Sequence, residues 1–419
     1  MSMGTDTCAV MTSQLKGAVQ EILKVCKNAI PAPCFSHSLN LSLGRCSRIP
    51  AIRNCISSIQ TVVAFFNASA KRHAMLEQQT VKYLLTLAET RWVSRCESVS
   101  RFCELLPEVC KALTLINLWD DTKTASKANE ILKLLESSEF IVALFVLEEI
   151  STLFLPIAYG LQKISNTVNE AGNMVDTLLE SLVQRRENSE STFNTIYNRI
   201  CKKMKNMGFS DPQPAKSRIC GRQQHRFNID ANNAEEYYRI NLFIPVLDIV
   251  NNDLSERLSS NYLQYLTLFQ LLPERIQSAD SSPNDKIMFT KYVEPFEQAV
   301  TFTQFQNELE IWRRYCLKLP NKNDCSCPSK TIQMHCSKDQ FPNINKVLQI
   351  LCTLVVSVAS AERSFSALRR LKTWLRTAMT QNRLSGLAIM HIHRKIKVSI
   401  SAIIDRFAKS KKRRLDFVI

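Results

Sequence analysis

Apolar positions recur at helical spacing along most of this chain. Leu15, Val19, Ile22, Leu23 and Cys26 share one helix face, and Pro31 and Pro33 interrupt the pattern. Leu39, Leu41 and Leu43 lead into a second helical stretch, and residues 49–66 supply a third. With a short strand ending near Asp6, the opening of the chain predicts strand, helix, strand, helix, a fragment of an α/β domain. From about residue 102 to 320 the character changes. Ile131, Leu134 and Leu135, then Leu144, Phe145, Val146, Ile150 and Leu153, and later Leu178, Leu179 and Leu182 repeat at helical spacing and predict a large all-helical region. Residues 207–234, with Pro212, Pro214 and Gly221, read as a linker, and residues 237–258 and 262–272 as two further helices. The Pro-, Asn- and Cys-rich stretch 320–342 marks a second boundary, followed by helical segments at 344–356, 359–375 and 383–396.

Composition agrees with a buried, helical core. The chain has 419 residues, 45% of them hydrophobic, which excludes a disordered polycation and predicts two or three domains. With only 8 Gly and 14 Pro, a turn-dense all-β architecture is disfavoured. The longest apolar runs, 140–147 and 350–356, fall short of the ~20 residues of a membrane-spanning helix, so no transmembrane segment is expected. No basic region followed by an apolar stretch opens the chain, so the 15 Cys are expected in a reducing compartment. Cys8, Cys26, Cys34, Cys46, Cys55, Cys96, Cys103 and Cys110 read as buried small hydrophobes. Cys325, Cys327, His335 and Cys336 form the one dense cluster, but C-x-C and H-C spacings differ from zinc clips, and no metal site is expected.

The charge is +16, and its distribution matters more than its total. Residues 363–414 hold 15 Lys and Arg against the single acid Asp405, leaving the remainder at +2. A dense local field of one sign favours polyanions such as nucleic acid. Solvated faces of surface helices explain the helical part of this segment equally well. Lys411, Lys412, Arg413 and Arg414 make a compact run that reads as a nuclear-import signal or a phosphate-contacting tail.

Several short strings occur in a telling order. Thr5-Asp6-Thr7-Cys8-Ala9 precedes Cys34-Phe35-Ser36-His37-Ser38-Leu39-Asn40-Leu41, and Thr90-Arg91-Trp92-Val93-Ser94-Arg95 follows. Then come Tyr237-Tyr238-Arg239 with Phe243-Ile244-Pro245-Val246-Leu247-Asp248, Ser360-Ala361-Glu362-Arg363-Ser364-Phe365-Ser366, Leu371-Lys372-Thr373-Trp374-Leu375-Arg376 and Arg383-Leu384. Together they resemble the hAT transposase superfamily, in the branch related to zinc finger MYM-type and THAP-domain proteins. The resemblance runs over almost the whole chain and is most specific from 341 to 396.

That resemblance implies a mainly α protein with a partial ribonuclease H-like α/β core split by a long all-helical insertion. It divides the chain into a partial core (1–101), the insertion (102–330), a C-terminal dimerisation region (331–400) and a basic tail (401–419). Family enzymes hold two divalent metals with three carboxylates for in-line attack on a phosphodiester. Asp6 matches the second of these carboxylates and Glu362 the third, Arg91 and Trp92 the Arg-Trp motif at the insertion's start, and Cys34 and His37 a C-x-x-H motif. Only five residues precede Asp6, so the first aspartate and its strand are expected to be absent, with Asp6 and Glu362 vestigial and no cofactor required. A fragment of a DNA transposase, whose full-length form would use divalent metal for strand cleavage and transfer, is the alternative.

Plain structural roles exist for the same residues. Asp6 fits a turn or cap, Glu362 a first-turn acid, His37 a hydrogen-bonded core histidine, and Trp92 a packed aromatic under a cation. Phe365, Leu368, Leu371 and Leu375 read as core. Leu384, Leu387, Ile389, Met390, Ile392 and Ile396 lie on more than one side of a helix, so one side faces the fold and another a partner. The expected protein is thus a catalytically inactive, nuclear dimerisation module. It pairs as a homodimer or with a related hAT-like protein, with non-specific nucleic-acid contact through Arg91, Trp92 and residues 411–414, and with no membrane partner. The N-terminal region is expected to be destabilised, with exposed strand edges.

Overall fold

The computed structural model describes residues 2–6, 8–13, 16–27, 29–87, 92–161, 168–214, 231–278, 280, 282–296, 299–320, 327–354, 358–373, 378–397 and 399–409. They form two compact units, 1–357 and 358–419. The first opens with strand β1 (Ser2–Thr5), helices α1 (Ala9–Thr12) and α2 (Ala18–Val25), and strand β2 (Ile30–Pro33). The strands pair in parallel, from Ser2 opposite Ile30 to Thr5 opposite Pro33. The Cys34 N–H donates to the Thr5 carbonyl at 2.9 Å, so alternation turns positions 31 and 33 of β2 to the opposite edge. Both are proline and offer no N–H there, which blunts that edge against a further strand. Gly17 lets the chain fold closely before α2, since a Cβ on it would stand 2.5 Å from the Ser13 carbonyl oxygen.

This pair is the whole of the sheet among the described residues, and the protein is mainly α-helical. The expected strand, helix, strand, helix order is present at the start. A ribonuclease H-like α/β core is not visible in it, because two four-residue strands offer too little surface to seat layers of helix.

Helices α3 (Phe35–Gly44), α4 (Pro50–Asn67) and α5 (Ala70–Glu77) follow, with Pro50 at the first turn of α4, where a missing N–H costs nothing. Leu39, Leu43, Ile52, Ile59, Val62 and Phe66 from α3 and α4 are all buried in the main core. Next come α6 (Trp92–Asn117), α7 (Thr122–Leu135), α8 (Ser138–Leu161), α9 (Val168–Glu187) and α10 (Ser189–Asn206). The Asp121 carboxylate starts α7 by accepting the Lys123 and Thr124 N–H groups.

Helix α8 is the hub of this unit. It packs against α3, α4, α6, α7, α9 and α10, and every residue from Phe140 to Leu147 is buried, so it is apolar on all sides. Over its best window the mean hydropathy is 2.1, enough to cross a bilayer, yet 61% of that window is buried inside the fold. The unbroken apolar run 140–147 within α8 is short because Glu148, Glu149 and Ser151 interrupt it. Those two acids instead fasten neighbours: Arg185 of α9 meets Glu149 at 2.6 Å, and Arg199 of α10 bridges Glu148 and Glu149.

After α11 (Ala234–Tyr238), a π-helical turn at Arg239–Phe243 leads into α12 (Ile244–Phe269). Pro245 has no N–H for the carbonyl four residues back, and the widened turn accommodates the gap. The two helices expected at 237–258 and 262–272 are largely one, since residues 259–261 contain no Gly or Pro to break it. Helices α13 (Pro283–Tyr292) and α14 (Phe302–Leu317) each begin with a capping box, Ser282 with Asp285 and Thr301 with Gln304. Helices α15 (Pro328–Met334) and α16 (Pro342–Thr353) complete the unit. The second unit contains α17 (Ala359–Leu371), α18 (Gln381–Ile392) and α19 (Ile400–Lys409).

Candidate dimerisation surface

Helix α16 is anchored by α14. Glu308 accepts the backbone N–H groups of Asn343 and Ile344 at 2.9 and 3.0 Å and the Asn343 amide at 2.6 Å. A carboxylate there satisfies two of the unpaired donors at the N-terminus of α16 and complements its dipole. One turn along α14, Trp312 is fully buried, donates its indole N–H to the Leu271 carbonyl at 2.9 Å, and meets Phe341 edge-on at 5.1 Å. Ile344, Val347, Leu348 and Leu351 of α16 complete this packing.

The unit 358–419 is built differently. Helices α17 and α18 pack on each other, yet among the described residues of this unit none is buried. On α18, Leu384 and Leu387 are half-buried, whereas Ile389, Met390 and Ile392 are 59%, 64% and 62% exposed, and Ile396 beyond it 64%. Phe365, expected in the core, is 67% exposed; Leu368 and Leu371 are half-buried, and Leu375 lies outside the described residues. A helical stripe marks an apolar face but does not say whether any layer lies over it.

A second exposed stripe was not singled out from the sequence. Ile400, Ile403, Ile404 and Phe407 of α19 are between 44% and 74% exposed. Their i, i+3, i+4, i+7 spacing is the signal the sequence offers, obscured by the basic residues around it. Arg369, Arg370, Arg383, Arg394, Lys395, Lys397, Arg406 and Lys409 are exposed around these stripes.

The residues matched to catalysis come out as follows. Asp6 directly follows β1, half-buried, and its carboxylate accepts the Cys8 N–H at 3.3 Å, a local turn bond. Glu362 lies in the first turn of α17 and Trp92 opens α6, but their side chains fall outside the description, as do Arg91 and residues 411–414. Cys34 is buried at the end of β2, and His37 is half-buried in the first turn of α3. Among the described residues no group of three or more His, Cys, Asp or Glu is arranged to hold a metal ion.

In the Cys-rich cluster, Cys325 lies outside the described residues. The His335 ring is within 3.3 Å of the Tyr315 hydroxyl, and the Cys336 thiol donates to the Phe341 carbonyl. Burial, with the nearby Glu308 charge, pushes Cys336 up to about 12, so it is a neutral thiol in the core. Six of the eight cysteines read as buried hydrophobes are buried; Cys8 and Cys26 are exposed, because they flank short elements of the thin N-terminal layer.

Residues 333–396 match the hAT family C-terminal dimerisation region, which begins on α15, takes in α16 and ends just beyond α18. The chain is 24% identical over 420 residues to the human "52 kDa repressor of the inhibitor of the protein kinase", covering 95% of this chain and 53% of that protein. The mouse protein of the same name is 22% identical over 417 residues, covering 95% of this chain and 54% of its own length. The chain therefore spans about half the length of the curated relatives it matches. With that homology along nearly all of it, the chain carries at residues 333–396 the C-terminal dimerisation region of the hAT transposase superfamily.

Proposed function

We propose that this chain works as a hAT-derived dimerisation module in the nucleus, pairing with itself or with a related hAT-like chain. The observation that carries the reading is the exposure of Ile389, Met390, Ile392 and Ile396 within the matched region. Contiguous exposed apolar side chains rimmed by charge mark an interaction surface. Each such side chain is worth ~1.5–3 kcal/mol when fully buried, so a few of them per copy suffice for micromolar pairing once association costs are met. The basic residues supply non-specific phosphate contact and, through 411–414, nuclear entry.

In this reading the 419 residues perform no strand transfer, since only Asp6 and Glu362 match the three carboxylates that two-metal chemistry requires. Incubation with supercoiled plasmid and Mg²⁺ or Mn²⁺ should leave the plasmid intact; metal-dependent nicking lost in Asp6→Asn would overturn this part. For the module itself, sedimentation equilibrium of the full chain at micromolar concentration should give a dimer, and Ile389→Asp with Ile392→Asp a monomer. A wild-type chain that remains monomeric would overturn the proposal. For the nucleic-acid contact, replacing residues 411–414 by Gln should lower the slope of log K against log salt by roughly 3 to 4 on duplex DNA.

A further inference from the structure

Two cysteines of the first unit stand apart from the thiols packed near them. Cys316 and Cys336 are fully buried, and the Cys336 thiol is tied to the Phe341 carbonyl. Cys327 is only half-buried and Cys352 is exposed, so both are within reach of a small solute. Cys327 immediately precedes α15, and Cys352 lies in the last turn of α16.

The fold sets these two positions side by side. Helices α15 and α16 pack on each other, and residues 335–341 join them. The turn is pinned to both helices: the Cys336 N–H donates to the Thr331 carbonyl at 3.1 Å, and the Asn345 amide donates to the Cys336 carbonyl. Packed helices with so short a connection run back alongside each other. At about 1.5 Å per residue, Cys327 lies ~10 Å from the turn along α15 and Cys352 ~15 Å from it along α16. Both therefore come to the end of the pair remote from the turn. Partial desolvation and the charge of Cys327 raise the Cys352 thiol, an influence that acts only between neighbours.

The two thiols differ in reactivity. The Ser329 hydroxyl lies 3.0 Å from Cys327 Sγ. Burial opposes a thiolate at Cys327, but hydrogen bonds involving Ser329 and the backbone of Ser329 and Lys330 outweigh it. Cys327 is thus the more readily ionised nucleophile, and Cys352 the thiol that keeps its proton.

We propose that Cys327 and Cys352 are a reversible, peroxide-responsive pair whose disulfide staples the start of α15 to the end of α16. Cys327, as thiolate, attacks one oxygen of hydrogen peroxide. The O–O bond breaks, and the departing hydroxide takes up the proton that Cys327 released, forming water and leaving a sulfenic acid on Cys327. The Cys352 sulfur then attacks the Cys327 sulfur; the S–S bond forms, the S–O bond breaks, and hydroxide leaves with the Cys352 proton as a second water. Two thiols are oxidised and one peroxide is reduced. In the reducing compartment expected for this chain, thiol–disulfide exchange restores the pair. The staple closes segment 327–352, which includes α16, the first full helix of the matched region.

The test uses the full chain, as a mixture of isotopically labelled and unlabelled copies. Reduced protein is treated with stoichiometric hydrogen peroxide, free thiols are blocked with N-ethylmaleimide, and the unreduced digest is mapped by mass spectrometry. The expected product joins the Cys327 peptide to the Cys352 peptide of the same isotopic form, two hydrogens lighter than the separate peptides and released by dithiothreitol. In Cys352→Ser the sulfenic acid on Cys327 has no resolving thiol and should be captured by dimedone. Oxidised wild type should melt roughly 2–5 °C above the reduced chain, and Cys352→Ser should lose that difference. Both thiols still free after peroxide, a link between copies, a link from Cys352 to another cysteine, or an oxidised chain that melts no higher would each overturn the proposal.

Discussion

Asp285 and Arg313 form the most deeply buried ion pair among the described residues, and their removal makes a quantitative test of how the C-terminal part of the first unit is held. Arg313 Nη2 lies 2.6 Å from Asp285 Oδ1 and Nη1 2.9 Å from Oδ2, with side-chain exposures of 7% and 2%. The same Asp285 carboxylate accepts the Ser282 N–H at 2.9 Å in the capping box of α13, and Arg313 also donates to the Asp280 carbonyl at 2.8 Å. Asp285→Ala removes two charge-assisted bonds and a cap bond, and it strands a guanidinium where water does not reach. Breaking one partner of a buried pair costs ~3–5 kcal/mol, and loss of a cap adds about 1 kcal/mol. Urea unfolding followed by near-UV circular dichroism should therefore show a loss of ~4 kcal/mol or more for Asp285→Ala. The double variant Asp285→Ala with Arg313→Met should recover part of it, because no unpaired charge then remains. The reasoning is refuted if Asp285→Ala costs less than about 1 kcal/mol, or if the double variant is as unstable as the sum of the single ones.

Three other outcomes follow from the same geometry. Leu144→Ala in α8, at 0% exposure, should cost ~2–5 kcal/mol by thermal or urea unfolding, while Leu134→Ala at 44% exposure costs under about 1 kcal/mol; equal costs would remove α8 from the centre of the core. For Asp253, burial acts against the charge, but hydrogen bonds from Arg257 and Ser42 and the charges of Arg257 and Arg45 outweigh it and hold the carboxyl below its usual range. Its stabilising contribution is complete above the unfolded value of ~3.9 and is lost as pH falls through the depressed folded value. Asp253→Asn should thus lower stability at neutral pH and flatten its fall on the acid side; an unchanged acid limb would contradict this. Burial raises the Cys327 thiol, yet hydrogen bonds involving Ser329 and the backbone of Ser329 and Lys330 outweigh it and bring the thiol below its ordinary value. The Cys352 thiol, though the residue is exposed, is pushed up by partial desolvation and by Cys327. Iodoacetamide at pH 7.5 should alkylate Cys327 before Cys352, read by peptide mass spectrometry, and the reverse order would refute the assignment.

Periodicity alone was enough to establish a mainly helical protein, because helix burial is written in the chain as a 3.6-residue repeat that needs no knowledge of the partner surface. The short strand before Asp6 was legible for a similar local reason, and the resemblance in the strings around Glu362 and Arg383 pointed to the hAT dimerisation region. The six apolar positions of α18 and its flank were readable as a group, since apolar residues on two sides of one helix imply two surfaces. Which of them are covered was not readable: Leu384 and Leu387 are half-buried and Ile389 to Ile396 exposed only because of where α17 packs. Phe365 was misplaced by the same blindness. Prolines at 31 and 33 were visible as interruptions, but that they point away from β1 and close one edge of the sheet depends on the pairing register. The anchoring of α16 by Glu308, the Asp285–Arg313 pair and the Trp312 bond to Leu271 join residues 28 to 41 positions apart, and nothing in local spacing announces them. What the sequence by itself determined is thus the helical class, the family of the C-terminal region and the location of its charge, all properties of neighbours along the chain. Tertiary structure alone decided which apolar faces are core and which are free, because burial is a property of the layer that comes to lie over a helix.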